Sequence, residues 1–301
     1  METVVVGGLE ACVVWPQDDS RSKQAADDET EIGAPDSKVV SRAREHGVEV
    51  VFLIHGRLGK RKHVQRHALR FAKNGYMAIF WDNPNHGDRL LDVKRNHAWD
   101  KENTQHATDM YAQMLGAHRD VQMMLDILPS ILQVNFLRTG IFGISQGGHT
   151  ALLIMANEPR MDVCVSLISS GDYLLNMQKR YAMLKEKAKE SGAVVPSFES
   201  LVPPALLRTI EHYDPIHNVE NVAAGARPIL MVNGGADVLV PVECNVKLNA
   251  ALKPLYESAQ KPSHLQHTIL PGVEHATPEP MIQAAEDWFN THLRTSKPSS
   301  L

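Results

Sequence analysis

Ser145 sits in Gly143-Ile144-Ser145-Gln146-Gly147-Gly148, directly after the strand-compatible stretch Leu137 to Phe142 and ahead of the helix-compatible stretch His149 to Ala156. A strand that turns sharply into a helix through small residues can hold a hydroxyl clear of the backbone, and glycines at i−2 and i+2 remove the side chains that would collide in so tight a turn. Ser145 is therefore the candidate nucleophile. A serine hydroxyl is a weak nucleophile near neutral pH, so it needs a positioned base and a third group to orient that base.

Both partners can be found downstream. Ile229 to Val232 is a short buried-strand run, followed by Asn233-Gly234-Gly235-Ala236-Asp237, and Asp237 is the preferred acid. Gln266 to Leu270 is another strand, and the loop Pro271-Gly272-Val273-Glu274-His275-Ala276 follows it, ahead of a helix that Thr277-Pro278 can open. His275 is the preferred general base. Asp172, just past the strand Val163 to Ile168, is the rival acid. The order Ser145, Asp237, His275, each member just past a strand, is the chain order of an α/β-hydrolase triad.

With these residues in view, the chain resembles the α/β-hydrolase superfamily, most closely its dienelactone-hydrolase-like and prolyl-oligopeptidase-like branches. The resemblance runs from Val48 to Leu293 and is carried by His55-Gly56, Asp82-Asn83-Pro84-Asn85-His86-Gly87, the serine turn, Gly235-Ala236-Asp237-Val238-Leu239-Val240-Pro241, and His275. It implies an α/β fold with a mostly parallel central sheet, helices on both faces and a small helical cap insertion. It also places oxyanion donors on the backbone amides of Gln146 and Arg57, since a carbonyl oxygen gains negative charge as it becomes tetrahedral. His55 and Gly56, with His86 in the pocket wall, become candidate substrate-binding residues. The Arg57 side chain is either a solvated surface group or a contact for an anionic substrate.

The elements that must position these groups follow from periodicity and composition. Val48 to Ile54 and Met77 to Trp81 are buried strands, and Tyr111, Met114, Leu115, His118, Val121, Leu125 and Leu128 recur at helical spacing, a helix expected to end before Pro129. Ile282, Ala285, Trp288 and Phe289 mark a final amphipathic helix. The N-terminal Met1 to Gly8 is expected to form an edge strand and is a poor secretory signal. Residues 17–37 carry seven acidic residues and almost no large apolar one, which suits a long mobile loop.

Roughly sixty residues separate the strand Val163 to Ile168 from Pro228, far more than a connection between strand and helix requires. Residues 171–226 are the expected cap within a single domain spanning 1–301. Tyr173 to Ala188 reads as a helix stopped by Gly192, with Val202-Pro203-Pro204 breaking the next stretch. Tyr173, Leu174, Met177, Tyr181 and Phe198 either line an apolar acyl pocket over Ser145 or anchor the cap to the core.

Composition excludes several function classes. A net charge of −4 gives no broad basic field for nucleic acid, and no run of 18 apolar residues suggests a membrane span. Cys12, Cys164 and Cys244 are odd in number and widely spaced, which argues against a disulfide framework and suits the cytoplasm. Ser299-Ser300-Leu301 is the one hint of a peroxisomal address, and it lacks the basic middle residue. His63 and His67, and His264 and His267, have ligand-like spacing but no third partner, so no metal is expected. No cofactor is required by the chemistry.

The expected activity is hydrolysis of an ester, thioester or lactone of a small organic substrate through an acyl-enzyme on Ser145, a carboxylic-ester class of reaction. A chain of this length has no room for the large accessory domain of the prolyl-oligopeptidase-like enzymes. The alternatives are a hydrolase-fold acyltransferase or lyase of specialised metabolism, or a non-catalytic ligand-binding homologue. The expected partner is a small-molecule substrate, with a homodimer also allowed.

Overall fold

A computed structural model of the chain describes residues 1–17, 35–99 and 103–295. The described residues build an eight-stranded sheet in the order β1-β2-β4-β3-β5-β6-β7-β8. Its strands are β1 (Glu2–Val6), β2 (Leu9–Val14), β3 (Val48–Ile54), β4 (Met77–Trp81), β5 (Phe136–Ile144), β6 (Val163–Leu167), β7 (Ile229–Gly234) and β8 (Leu265–Leu270). β1 pairs antiparallel with β2 and β2 with β4, and every pairing from β4 to β8 is parallel. Parallel strands need crossover connections, so a helix follows nearly every strand and both sheet faces become covered.

The two faces can be read from the alternation within a strand. In β3, Val50, Phe52 and Ile54 join one apolar cluster, while Val51 and Leu53 join the other. On the first face lie α1 (Ser37–His46), α3 (His106–Leu132), α4 (Gln146–Asn157) and α9 (Glu243–Ser258); on the second lie α2 (Lys62–Lys73) and α10 (Glu279–His292). Strands buried on both sides are near-continuous hydrophobic runs, which is why β3 and β4 have the bounds expected from the sequence. On the second face, Arg70 of α2 reaches Glu286 at 2.6 Å and Glu279 at 2.8 Å, tying α2 to α10.

One expectation is amended. The helix expected to stop before Pro129 runs through it to Leu132, because a proline in the last turn costs a single backbone bond while Leu128 and Leu132 bury on the core. Of residues 17–37, those numbered 18–34 lie outside the described residues; Asp36 caps α1 by accepting from the Lys38 amide at 2.8 Å. The C-terminal Ser299-Ser300-Leu301 also lies outside them. Among the described residues, no helix is long and apolar enough to cross a membrane.

Between β6 and β7 the chain forms α5 (Tyr173–Ser191), α6 (Phe198–Leu201), α7 (Pro204–Tyr213) and α8 (Val219–Val222). Gly192 ends α5 in the left-handed region at φ 69°, where a side chain would strain the backbone. This segment buries a third apolar cluster, joining Tyr173 and Met177 of α5 and Leu206 and Ile210 of α7 to Tyr111 and Met114 of α3. Asp214 fastens it from beneath, accepting from the Tyr173 amide at 2.9 Å and from His149 of α4 at 2.8 Å.

Several histidines are buried where protonation would strand a charge. Burial holds His55 and His67 down at about 4, and burial followed by the nearby Arg57 and Arg180 guanidiniums holds His106 at about 2. Each has a folded-state value below its unfolded one of about 6.5, so between those values the unfolded chain binds more protons and stability falls as pH falls. We therefore expect urea-unfolding free energy to drop from pH 6.5 to 5, a window in which carboxylates stay ionised, by up to about 1.4 kcal/mol per pH unit for each histidine. His67→Leu should flatten that slope by about one proton. A stability independent of pH across this window would contradict the burial of these rings as neutral imidazoles.

Candidate active site

Ser145 lies at the end of β5, in the one-residue joint before α4, with φ 57° and ψ −120°. A non-glycine residue at positive φ is held there only when its surroundings over-determine it. Two close approaches do so. A Cβ on Gly143 would fall 2.0 Å from the Gly147 carbonyl oxygen, and one on Gly147 would fall 2.2 Å from the Ile54 carbonyl oxygen. The Ser145 amide donates to Leu167 of β6 at 2.9 Å, and its carbonyl accepts from the His149 amide at 3.0 Å, so both sides of the joint are bonded.

The hydroxyl meets His275. Ser145 Oγ lies 2.9 Å from His275 Nε2, and His275 Nδ1 lies 2.7 Å from Asp237 Oδ2. Because Asp237 is a carboxylate, Nδ1 donates to it and Nε2 is left to accept from the hydroxyl. The other oxygen of Asp237 accepts from the Leu239 and Val240 amides, both at 2.9 Å. With its side chain wholly buried, Asp237 thus has partners on both oxygens. The His275 side chain is 24 % exposed, so one edge of the imidazole faces the open side of the site.

Asp172 takes no part in this chain of contacts. It caps α5, accepting from the Leu175 amide at 2.9 Å, and its other oxygen pairs with Lys247 at 2.5 Å. Of the two acids weighed from the sequence, Asp237 is the one brought to His275.

The loop after β3 lies against the nucleophile: a Cβ on Gly56 would approach Ser145 Cβ and the Ile144 carbonyl oxygen at 3.3 Å. The loop is held from below by His55. Its Nε2 accepts from the Asn83 amide at 3.0 Å, its Nδ1 donates to the Gly56 carbonyl at 2.7 Å, and the Asn83 side chain returns a bond to the His55 carbonyl at 3.0 Å. Asn83, invisible as a functional residue in the sequence, thereby staples the loop after β3 to the loop after β4. Asp82 holds the same region, accepting from the Arg61 amide at 2.6 Å and the Asp88 amide at 3.1 Å.

Gln146 is the first residue of α4, so its amide has no intrahelical acceptor and is available as a donor. Its side chain donates to Gln113 at 3.0 Å, and Gln113 donates to Asn96 at 2.7 Å. The guanidinium of Arg57 bonds to the Asn96 carbonyl and, at 3.3 Å, to His106 Nε2. The side chains of Gln146 and Arg57 are therefore moored in one network, which limits how far their backbones can shift relative to each other. Arg57 is half-buried and engaged in this network, neither a freely solvated arginine nor one committed to a ligand.

Four expected substrate contacts are placed differently. His55 and His86 are buried, His86 donating from Nδ1 to the Pro84 carbonyl at 2.9 Å and meeting the His55 ring edge-on at 5.2 Å. They support the loops and present almost no surface to a ligand. Tyr173 and Met177 are wholly buried in the cluster under the inserted segment, with the Tyr173 hydroxyl donating to the Ala107 carbonyl at 2.6 Å. Of the two readings open from the sequence, they take the anchoring one. Side-chain clusters able to bind a metal, with three or more His, Cys, Asp or Glu, do not occur among the described residues, and His67 instead packs on Phe142.

The solved structures similar to this chain share its fold. TT1662 of Thermus thermophilus superposes with a TM-score of 0.67 at 18 % identity, covering 98 % of each chain. The esterase Pf2001 of Pyrococcus furiosus gives 0.53 at 16 % identity over 82 % of this chain and 84 % of its own. An acylaminoacyl peptidase of Pyrococcus horikoshii gives 0.58 at 14 % identity; 97 % of this chain is covered but only 41 % of the peptidase. No curated protein sequence matches. The model of the prolyl oligopeptidase family matches residues 99–294, a span that contains Ser145, Asp237 and His275. With the α/β-hydrolase sheet and the serine turn in place, the chain belongs to the prolyl oligopeptidase family of serine hydrolases.

Proposed function

We propose that the protein hydrolyses an ester, thioester or lactone of a small organic substrate through an acyl-enzyme on Ser145. The reading rests on one observation, the unbroken contact from Ser145 Oγ through His275 to Asp237 at 2.9 Å and 2.7 Å. His275 Nε2 takes the hydroxyl proton as Oγ bonds to the carbonyl carbon, and the amides of Gln146 and Arg57 hold the oxyanion. As the tetrahedral species collapses, the leaving group departs with the proton from His275. Water, deprotonated in turn by the same imidazole, attacks the acyl carbon and releases the acid and Ser145. Asp237 keeps the ring in the correct tautomer and stabilises its charged form.

Ester chemistry is favoured over cleavage from a peptide amino terminus by the charge beside the site. Among the described residues, the charged groups lining the cavity next to the Asp237 turn are basic, Arg180 and Lys187. An aminopeptidase must hold an ammonium group, which calls for carboxylates there. The buried free thiols of Cys12, Cys164 and Cys244 support a reducing compartment such as the cytoplasm.

Hydrolysis of p-nitrophenyl butyrate and of alanine p-nitroanilide, followed side by side, tests this. The ester should be cleaved with the higher kcat/KM, and Ser145→Ala should lower kcat by roughly 10³-fold or more. Cleavage of the anilide alone would turn the reading to a peptidase. Asp237→Asn should cost roughly 10³- to 10⁴-fold in kcat with little change in KM, because it disturbs the tautomer and not the binding surface. An equal loss from Asp172→Asn with Asp237→Asn unaffected would reverse the choice of acid.

A further inference from the structure

Beside the turn that carries the triad acid, α5 and the segment leading into α3 enclose a half-open chamber of about 120 Å³. Its apolar wall is made by Trp99, Met183, Leu184, Val238 and Leu239, and His106, Arg180 and Lys187 complete the lining, the two basic residues able to lay their aliphatic stems along that wall while their charged heads stay in water. Three of these side chains keep large apolar surfaces in water, Met183 at 37 %, Val238 at 65 % and Leu239 at 45 % exposure. Scattered apolar residues on a surface need no explanation, but a group of them facing one concavity is what a ligand site presents before it is filled.

Two contacts tie the lining of the chamber to residues of the site. Leu239 belongs to the turn whose amides hold Asp237 Oδ1, at 2.9 Å, so one wall is continuous with the triad acid. His106 bonds to the Arg57 guanidinium at 3.3 Å, so another wall is fastened to the loop that lies against Ser145. An arginine can only donate, which makes His106 Nε2 an acceptor and the ring a neutral, largely apolar surface. The chamber therefore adjoins the turn that carries the triad acid and is tied through His106 to the Arg57 side chain.

We propose that this chamber takes the acyl group of the substrate, and that the preferred substrates are esters of short or phenyl-sized apolar acids. The proposal rests on the serine-hydrolase reading above and adds the size and chemistry of the acid. A closed apolar cavity of about 150 Å³ accommodates benzene. A chamber slightly smaller accepts a group near that size, such as a butyryl, hexanoyl or phenylacetyl chain, and leaves a decanoyl chain partly in water. Tyr173 and Met177, already committed to the core beneath, play no part in the selection.

The test is kcat/KM for p-nitrophenyl acetate, butyrate, hexanoate, phenylacetate and decanoate on the full chain, alongside Leu184→Trp and Met183→Trp. Both positions lie on the outer part of α5, Leu184 half-buried and Met183 exposed, and a thermal melt establishes that each variant folds. Wild type should favour butyrate, hexanoate or phenylacetate over acetate by roughly tenfold or more, the scale on which an apolar pocket discriminates by one or two methylenes. Filling the chamber with tryptophan should cut the hexanoate-to-acetate ratio by roughly tenfold in at least one folded variant. Ratios within twofold of wild type in both variants, with wild type active, would overturn the chamber assignment alone. A wild type inert on all five esters would instead overturn the hydrolase reading on which it stands.

Discussion

The arrangement depends on how closely three stretches of backbone approach one another under Ser145. β5, the first turn of α4 and the end of β3 meet where a single Cβ on Gly143 or Gly147 would lie within about van der Waals overlap of a carbonyl, at 2.0 Å and 2.2 Å. Only that closeness lets the chain pass from strand to helix in one residue and leaves Ser145 at positive φ, its hydroxyl within reach of His275. The strain of the joint is offset by the bonds around it, to Leu167 on one side and His149 on the other. α4 also begins there, which frees the Gln146 amide beside the hydroxyl.

The rest of the site is a matter of keeping loops still. Three loops, each at the carboxyl end of a parallel strand, carry the Gly56 approach, Asp237 and His275. Each is fastened by polar bonds: His55 and Asn83 across the β3 and β4 ends, the Leu239 and Val240 amides on Asp237, and the Gly235 and Ala236 amides on the Leu270 and Val273 carbonyls of the His275 loop, while the Gln146, Gln113, Asn96 and Arg57 chain runs across the front. These buried groups work only as neutral or paired species, which is why His55 is held far below the ordinary histidine value by its burial. Preorganised dipoles of this sort are worth most where water is excluded.

Much of this was legible in the sequence where the physics is local. β3 and β4 could be bounded because a strand buried on both faces is a nearly unbroken apolar run, interrupted in β3 by Glu49 alone, and the serine turn because steric demand selects glycine at both flanks. Asp237 and His275 were legible because each follows a strand in a glycine- or proline-marked loop. What depends on packing was not. The helical spacing of Tyr173 and Met177 puts them on one face but cannot say whether that face meets a pocket or a core, and it meets the core. Pro129 signals a helix end, yet the burial of Leu132 outweighs one missing bond. The chamber of Trp99, Met183, Leu184 and Leu239 is assembled from three separated segments, and the His149–Asp214 pair from residues 65 apart, so no short pattern announces either.

The central claim is that one hydroxyl, Ser145, is activated by His275. Treating the protein with a fluorophosphonate and locating the adduct by peptide mass mapping tests it most directly, because the reagent reacts with a serine that an adjacent base has made nucleophilic. The account predicts a single adduct on Ser145, lost in His275→Ala. An adduct at another serine, or labelling of Ser145 at the same rate without His275, would contradict it.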